Sequence, residues 1–233
     1  MDYTNTIVNY IRENRVSTTE VADALGKHGV LSGVNPIVQD QFKVGRVRCI
    51  FTANNSNYAL HEQIRHIEPG EIVVAFEHNC GERALFGSLV SKYAVLYKRA
   101  EAIVVNGLVR DMAVLRRERF PLWVKGGSPL GCYNDKAEPF PRDMEKTIRD
   151  EYEGGIAVCD DGGVTIIPRR KINEEMLQAL KRIEMQEDIW FFCLDTLKWD
   201  THKIVCEKAY LTQKELLSSI HIDNLHKLNM PLD

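Results

Sequence analysis

The residues best suited to chemistry sit in one short stretch. Ala102, Ile103, Val104 and Val105 form an apolar run that leads through Asn106-Gly107 to Arg110 and Asp111, two opposite charges side by side. Such a run reads as a strand buried on both faces, with Asn106-Gly107 as a turn that delivers the charged pair. Charged side chains just past a buried strand are costly to place unless they are used. In open α/β sheets, ligands collect in the crevice outside the strand ends. A guanidinium there can clamp a carboxylate or a developing enolate, and a carboxylate can hold a hard divalent metal. The pairing points to carbanion chemistry on a small keto acid. The plainer alternative is an ion pair capping the helix that follows.

Other chemically suggestive patterns carry less. Asp160-Asp161-Gly162-Gly163 could invite a metal, but a tight hairpin turn explains it. His61 and His66 in His-Glu-Gln-Ile-Arg-His are five apart rather than four, so they diverge around a helix and do not make a zinc-protease motif. No nucleophile-elbow pattern surrounds Ser88, and no glycine-rich nucleotide loop follows a first strand. His78 and Cys80 precede the charged pair and could touch a ligand, but loop residues without a role are the plainer reading. Trp190, Phe191, Phe192 and Trp199 suit core or subunit packing better than base stacking.

The elements that must position the pair can be read from periodicity. Residues 3–15 predict a leading helix, and Ser17-Thr18-Thr19-Glu20 has the capping-box pattern of a second helix that ends at Gly26. Pro36 marks a loop. Residues 45–52 predict a strand, 58–67 a helix, and 71–76 a buried strand after the Pro69-Gly70 turn. A helix over about 86–99 presents Leu89, Val90, Tyr93, Ala94 and Tyr97 on one face. A short helix over 111–117, a strand over 121–124, a loop at Gly126-Gly127-Ser128-Pro129 and paired strands at 156–159 and 164–167 follow. Helical periodicity over 173–187, with weaker amphipathic stretches at 188–199 and 212–228, marks a different C-terminal part. The expectation is an α/β fold: a layered mixed-sheet domain of the swivelling type over residues 1–170, and a C-terminal helical appendage over 171–233.

Composition narrows the classes. The 233 residues carry a net charge of −3, 44% hydrophobic and 27% charged residues. That balance does not suggest a general nucleic-acid binder, and the Arg116-Arg117-Glu118-Arg119 cluster reads as a solvated helix face or subunit contact. The six cysteines are scattered with no Cys-x-x-Cys pair. No signal-peptide pattern and no membrane-length apolar segment is visible, so a cytoplasmic protein with reduced thiols and no membrane partner is expected.

Taken in order, several segments resemble the RraA-like family, the regulator-of-ribonuclease-activity-A and 4-hydroxy-4-methyl-2-oxoglutarate aldolase proteins. They are TEVADAL at 19–25, Gly45 to Thr52, Asn57 before a helix, Pro69-Gly70-Glu71, Gly81 with Ala84, Gly87-Ser88-Leu89, VNGLVRD at 105–111 and DDGGVTIIP at 160–168. The resemblance implies a swivelling-type fold, and a homotrimer or hexamer with sites between subunits. It also implies a lyase that splits short 2-oxo dicarboxylates, as a 4-hydroxy-4-methyl-2-oxoglutarate aldolase, an oxaloacetate decarboxylase or both, with Mg²⁺ or Mn²⁺. On that resemblance Asp111 is the metal ligand and Arg110 stabilises the pyruvate enolate. Backbone amides of Gly87, Ser88, Leu89 and Val90 hold the substrate carboxylate.

Elementary chemistry is compatible with those roles. A helix start offers free N–H groups to an anion, and a glycine such as Gly87 allows close approach. A divalent ion polarises a keto oxygen, and a fixed cation such as Arg110 contributes about 3–4 kcal/mol to such barriers. Two departures pull in opposite directions. Catalytic relatives often carry an acid where this chain has Ser88, with Glu82 or Glu77 as possible substitutes. Regulatory members typically lack the aspartate that this chain keeps at 111. The rival expectation is therefore a non-catalytic protein that binds a partner such as a ribonuclease.

Overall fold

The computed structural model describes residues 2–229. Helix α1 (Thr4–Asn14) buries Ile7 and Ile11. In α2 (Thr18–Ala24) the capping box forms: the Glu20 amide donates to Ser17 Oγ at 3.2 Å and the Ser17 amide donates to Glu20 Oε2 at 2.6 Å. The same helix start is held from across the fold. The Thr18 amide donates to Asp160 Oδ2 at 2.8 Å, and the Thr18 hydroxyl donates to Asp160 Oδ1 at 2.6 Å.

The sheet follows from which residues can be buried on two faces. Its strands are β1 (Asn35–Pro36), β2 (Lys43–Ala53), β3 (Glu71–His78), β4 (Ala84–Phe86), β5 (Ala102–Val109), β6 (Leu122–Gly127), β7 (Ile156–Asp160) and β8 (Gly163–Ile167). They run in the order β1-β6-β5-β3-β2-β7-β8, with β4 beside β5. Pairs β2–β3, β3–β5, β4–β5 and β5–β6 are parallel, whereas β1–β6, β2–β7 and β7–β8 are antiparallel. Val30 bridges Thr165 on β8 just before β1 pairs with β6, so one segment stitches both edges and the sheet nearly closes into a barrel. Side chains alternate between two cores, as a strand's period of two requires. Ile72, Val74, Phe76, Ala102, Val104 and Trp123 point one way, and Val73, Ala75, Ile103 and Val105 point the other.

Helices α3 (Tyr58–Gln63), α4 (Ser88–Lys92) and α5 (Met112–Arg117) cover the second core through Leu60, Val90 and Leu115. Helix α6 (Arg142–Tyr152) lays Ile148 and Tyr152 against the first. The chain divides between Asn173 and Glu174 into two compact units. The second holds α7 (Glu174–Asp195), short turns and α8 (Ser219–Asn229), around Ile189, Cys193, Trp199, Ile204, Tyr210 and Leu225.

The architecture is the mixed α/β fold expected, with several local differences. Asn106-Gly107 is not a turn: β5 runs through it to Val109, with a register shift between Val105 and Leu108. Pro36 lies in a short edge strand, where its missing N–H costs nothing in the ladder, and Gly126-Gly127 end β6 rather than forming a loop. Residues 93–97 wind as a π turn, so the buried residues there are Val90, Ser91 and Ala94, while Leu89 and Tyr97 are 79% and 71% exposed. One continuous helix, α7, spans residues expected as two stretches.

The Asp160 turn is structural. Asp160 pairs with Gly163 across the two-residue Asp161-Gly162 loop, and the Gly162 amide donates to Asp160 Oδ1 at 2.8 Å. Both carboxylate oxygens are committed to protein donors.

Candidate active site

Two strand ends create the site. Strand β4 stops at Phe86, and after Gly87 the chain turns into α4; beside it β5 stops at Val109, and after Arg110 and Asp111 the chain turns into α5. Phe86 pairs with Val109, and the Arg110 amide donates to the Phe86 carbonyl at 2.9 Å. Arg110 and Asp111 therefore stand outside the ends of parallel strands. Asp111 has left-handed backbone angles (φ 60°, ψ 32°), a sparsely populated region that aspartate tolerates better than most residues. Its position precedes α5, yet its side chain makes no cap there.

Instead the carboxylate reaches across to α4. The Ser88 amide donates to Asp111 Oδ2 at 2.9 Å, and the Ser88 hydroxyl donates to the same oxygen at 3.0 Å. Arg110 Nε lies 4.0 Å from that oxygen, with both side chains partly exposed. The Ser88 amide above all holds the Asp111 carboxyl below the usual carboxylate range; burial opposes it, and the Ser88 hydroxyl and Arg110 add to the lowering. Asp111 is an anion with one oxygen engaged; among the described residues Oδ1 accepts no hydrogen bond.

Two glycines make the close approach possible. A Cβ on Gly87 would lie 2.3 Å from Asp111 Oδ2 and 2.7 Å from Arg110 Cγ. One on Gly131 would lie 2.9 Å from Arg110 Nη1. Neither position accepts a side chain without displacing the charged pair.

A cavity of about 600 Å³ opens here, lined by Gly87, Leu89, Val90, Arg110 and Asp111 among others. The structure thus brings together the residues singled out in the sequence, with one change of role. The Ser88 amide is occupied by Asp111, so among the described residues the Leu89 and Val90 amides, which have no earlier carbonyl of α4 to meet, are what that first turn offers at the cavity. Helix α3 supplies a wall that sequence reasoning missed: Tyr58, His61 and Glu62, with Arg65 in the turn after it. Asn57, Cys132 and Asn134 complete it. The spacing of His61, Glu62 and Arg65 on one helical turn is a signal of a shared face, but not of what that face borders. Glu77 and Glu82 do not line the cavity; Glu77 Oε2 accepts from the Cys80 amide at 3.0 Å.

The family model described as "RraA-like: Aldolase/RraA" matches residues 18–166, and the chain belongs to that family. The family includes both aldolase-type and regulatory members. A protein of Halalkalibacterium halodurans named "Putative 4-hydroxy-4-methyl-2-oxoglutarate aldolase" is 24% identical over 197 residues, covering 78% of this chain and 86% of that one. Among solved structures, an uncharacterized protein from Pseudomonas syringae pv. tomato superposes with a TM-score of 0.63 at 18% identity, covering 82% of this chain and 93% of the other. Streptomyces coelicolor RraAS2, described as an unusual member of the RNase ES inhibitor RraA protein family, gives 0.62 at 21% identity, covering 78% and 94%. These likenesses establish the fold. Among the described residues, no helix is long and apolar enough to cross a membrane.

Proposed function

We propose that this protein is a divalent-metal-dependent lyase that cleaves a short 2-oxo dicarboxylate through a pyruvate enolate. The reaction is retro-aldol cleavage of a substrate like 4-hydroxy-4-methyl-2-oxoglutarate, decarboxylation of oxaloacetate, or both. The observation that carries this reading is the Arg110–Asp111 pair at the strand ends, its carboxylate kept ionised and its guanidinium bordering a cavity sized for a small diacid.

The donor set fits Mg²⁺ or Mn²⁺. Asp111 offers one carboxylate, and among the described residues no group of three or more His, Cys, Asp or Glu side chains could enclose an ion. A hard cation that keeps most of its water suits a single carboxylate, whereas zinc calls for a fuller set of protein ligands. When bound, the ion supplies Lewis-acid polarisation of the 2-keto oxygen. Asp111 would hold it, and Ser88 holds Asp111. Arg110 places a fixed cation near the oxygen on which enolate charge develops. The Leu89 and Val90 amides bind the carboxylate next to the keto group. Arg65 binds the distal carboxylate, and His61 and Glu62 are the titratable groups on the α3 wall able to take the substrate's hydroxyl proton. Leu89, Tyr93, Leu96 and Tyr97, exposed along α4 and the turn after it, provide apolar surface for a homotrimer or hexamer.

The test is pyruvate release from oxaloacetate and from 4-hydroxy-4-methyl-2-oxoglutarate, with Mg²⁺ or with chelator, on the wild type and Asp111→Ala. Metal-dependent release lost in the variant supports the lyase. Turnover that ignores both chelator and variant contradicts it.

One observation favours a second reading. The Asp111 carboxylate is tied to α4 by two hydrogen bonds from Ser88, a use that needs no ion. With the apolar surface beside it, this suits a regulatory family member that binds a protein partner such as a ribonuclease. Chelator-insensitive background turnover combined with capture of such a partner by the Leu89–Tyr97 surface is the outcome that selects it.

A further inference from the structure

Cys80 and Cys132 are far apart in sequence and meet at the cavity wall. Two loop segments run side by side there. The Arg83 amide donates to the Cys80 carbonyl at 3.0 Å, the Ala84 amide donates to the Leu130 carbonyl at 2.7 Å, and the Cys132 amide donates to the Ala84 carbonyl at 3.0 Å. The Arg83 guanidinium reinforces the contact, donating to the Gly131 carbonyl at 2.8 Å and lying 4.3 Å from the centre of the Tyr133 ring. Cys80 is buried in the core under the cavity, and Cys132 packs against that core while lining the cavity. Both are free thiols.

We propose that Cys80 and Cys132 form a site of reversible oxidation, closing to a disulfide when a two-electron oxidant such as hydrogen peroxide enters the cavity. The juxtaposition of the two sulfurs, one buried and one facing the cavity, is the observation behind it; the proposal does not depend on the lyase reading.

The chemistry is favoured by the way the pair shares its protons. The Cys132 S–H directed at Cys80 holds the Cys80 thiol below its ordinary range, and the same contact, with burial, pushes the Cys132 thiol up. The Cys80 thiolate is placed to take the Cys132 proton, so the sulfur that the oxidant meets is activated as it reacts. As cavity-facing Cys132 attacks the peroxide it passes its proton to the Cys80 thiolate, the O–O bond breaks, and hydroxide leaves to be protonated to water. The resulting sulfenic acid is then attacked by Cys80, which gives up its proton as the S–S bond forms and the second oxygen departs as water. Both thiols together lose two protons and two electrons; one peroxide becomes two waters. The bond draws Cys132 inward next to Gly131, the residue on which the Arg110 guanidinium rests.

The experiment treats the full-length protein with hydrogen peroxide, blocks remaining thiols with an alkylating agent, and maps peptides by mass spectrometry without reduction. The expected product joins the Cys80 and Cys132 peptides with the loss of two hydrogen atoms and disappears after dithiothreitol. Cys206→Ser removes an exposed thiol and leaves the linkage unchanged, whereas Cys132→Ser abolishes it. Wild-type protein that yields the two peptides unlinked, whether as thiols or as separate oxidised acids, overturns the proposal. So does a linkage of either cysteine to another thiol in its place.

Discussion

Asp111 Oδ2 accepts both the backbone N–H and the hydroxyl of Ser88, at 2.9 and 3.0 Å, so one carboxylate joins the starts of two helices. Ser88→Ala keeps the amide and removes the hydroxyl. The Asp111 carboxyl, held low chiefly by the amide, then rises part of the way toward its ordinary value. A depressed carboxyl contributes stability that is fully present above the unfolded value of about 3.9 and is lost as pH falls through the folded value. In the variant that loss begins at higher pH. Because the side chain is 37% exposed, the difference is small, under about 1 kcal/mol. Carboxyl-carbon NMR titration of both proteins reads it; an unchanged Asp111 midpoint contradicts the shared-oxygen account.

Gly87→Ala forces a methyl into the space held by Asp111 Oδ2 and Arg110 Cγ. The fold loses about 1–3 kcal/mol from overpacking. Turnover drops further, by about a hundredfold, because a displacement on the order of 1 Å at reacting groups is that costly. Thermal melts and kcat/KM measured together separate the two effects.

Arg110→Lys retains charge but loses the planar fork. The expected loss is about 10²–10³ in kcat, the scale of removing one preorganised donor. Gly131→Ala, which crowds Arg110 Nη1 without touching any charge, lowers kcat in the same direction. Normal kcat in Gly131→Ala with a folded protein contradicts the placement of the guanidinium.

Arg65→Ala tests the wall built by α3. A hydrogen-bonded carboxylate contact is worth about 1.5–3 kcal/mol, so KM for a 2-oxo dicarboxylate rises by at least about tenfold. Cleavage of 4-hydroxy-2-oxopentanoate, which lacks the distal carboxylate, stays near wild type. Equal losses on both substrates remove Arg65 from that role.

Much of the fold and part of the site are legible in the amino-acid sequence. The alternating burial of β3 and β5 follows from uninterrupted apolar runs, and the α2 capping box is written in Ser17 and Glu20. Arg110 and Asp111 stand out because charge so rarely follows such a run. What the sequence conceals has physical causes. Helix α6 carries its apolar stripe in only three residues four apart, Met144, Ile148 and Tyr152, within a charged segment laced by Arg149 with Glu145 and Glu153, a narrow signal though a legible one. Strand β4 is three residues long, too short for a period to show. Asn106-Gly107 has turn chemistry but sits at a register shift inside a strand. The Asp111–Ser88 bond and the α3 wall are tertiary facts, set by strand order, and local spacing does not encode them.

Whether Asp111 gathers a divalent ion is the central question for the lyase. Titrating Mn²⁺ into wild type and Asp111→Asn, read by water-proton relaxation with and without pyruvate, measures that. The expected result is saturable Mn²⁺ binding to the wild type that tightens with pyruvate and is lost in the variant. Equal Mn²⁺ binding by both proteins, or none by either, contradicts a metal site at Asp111.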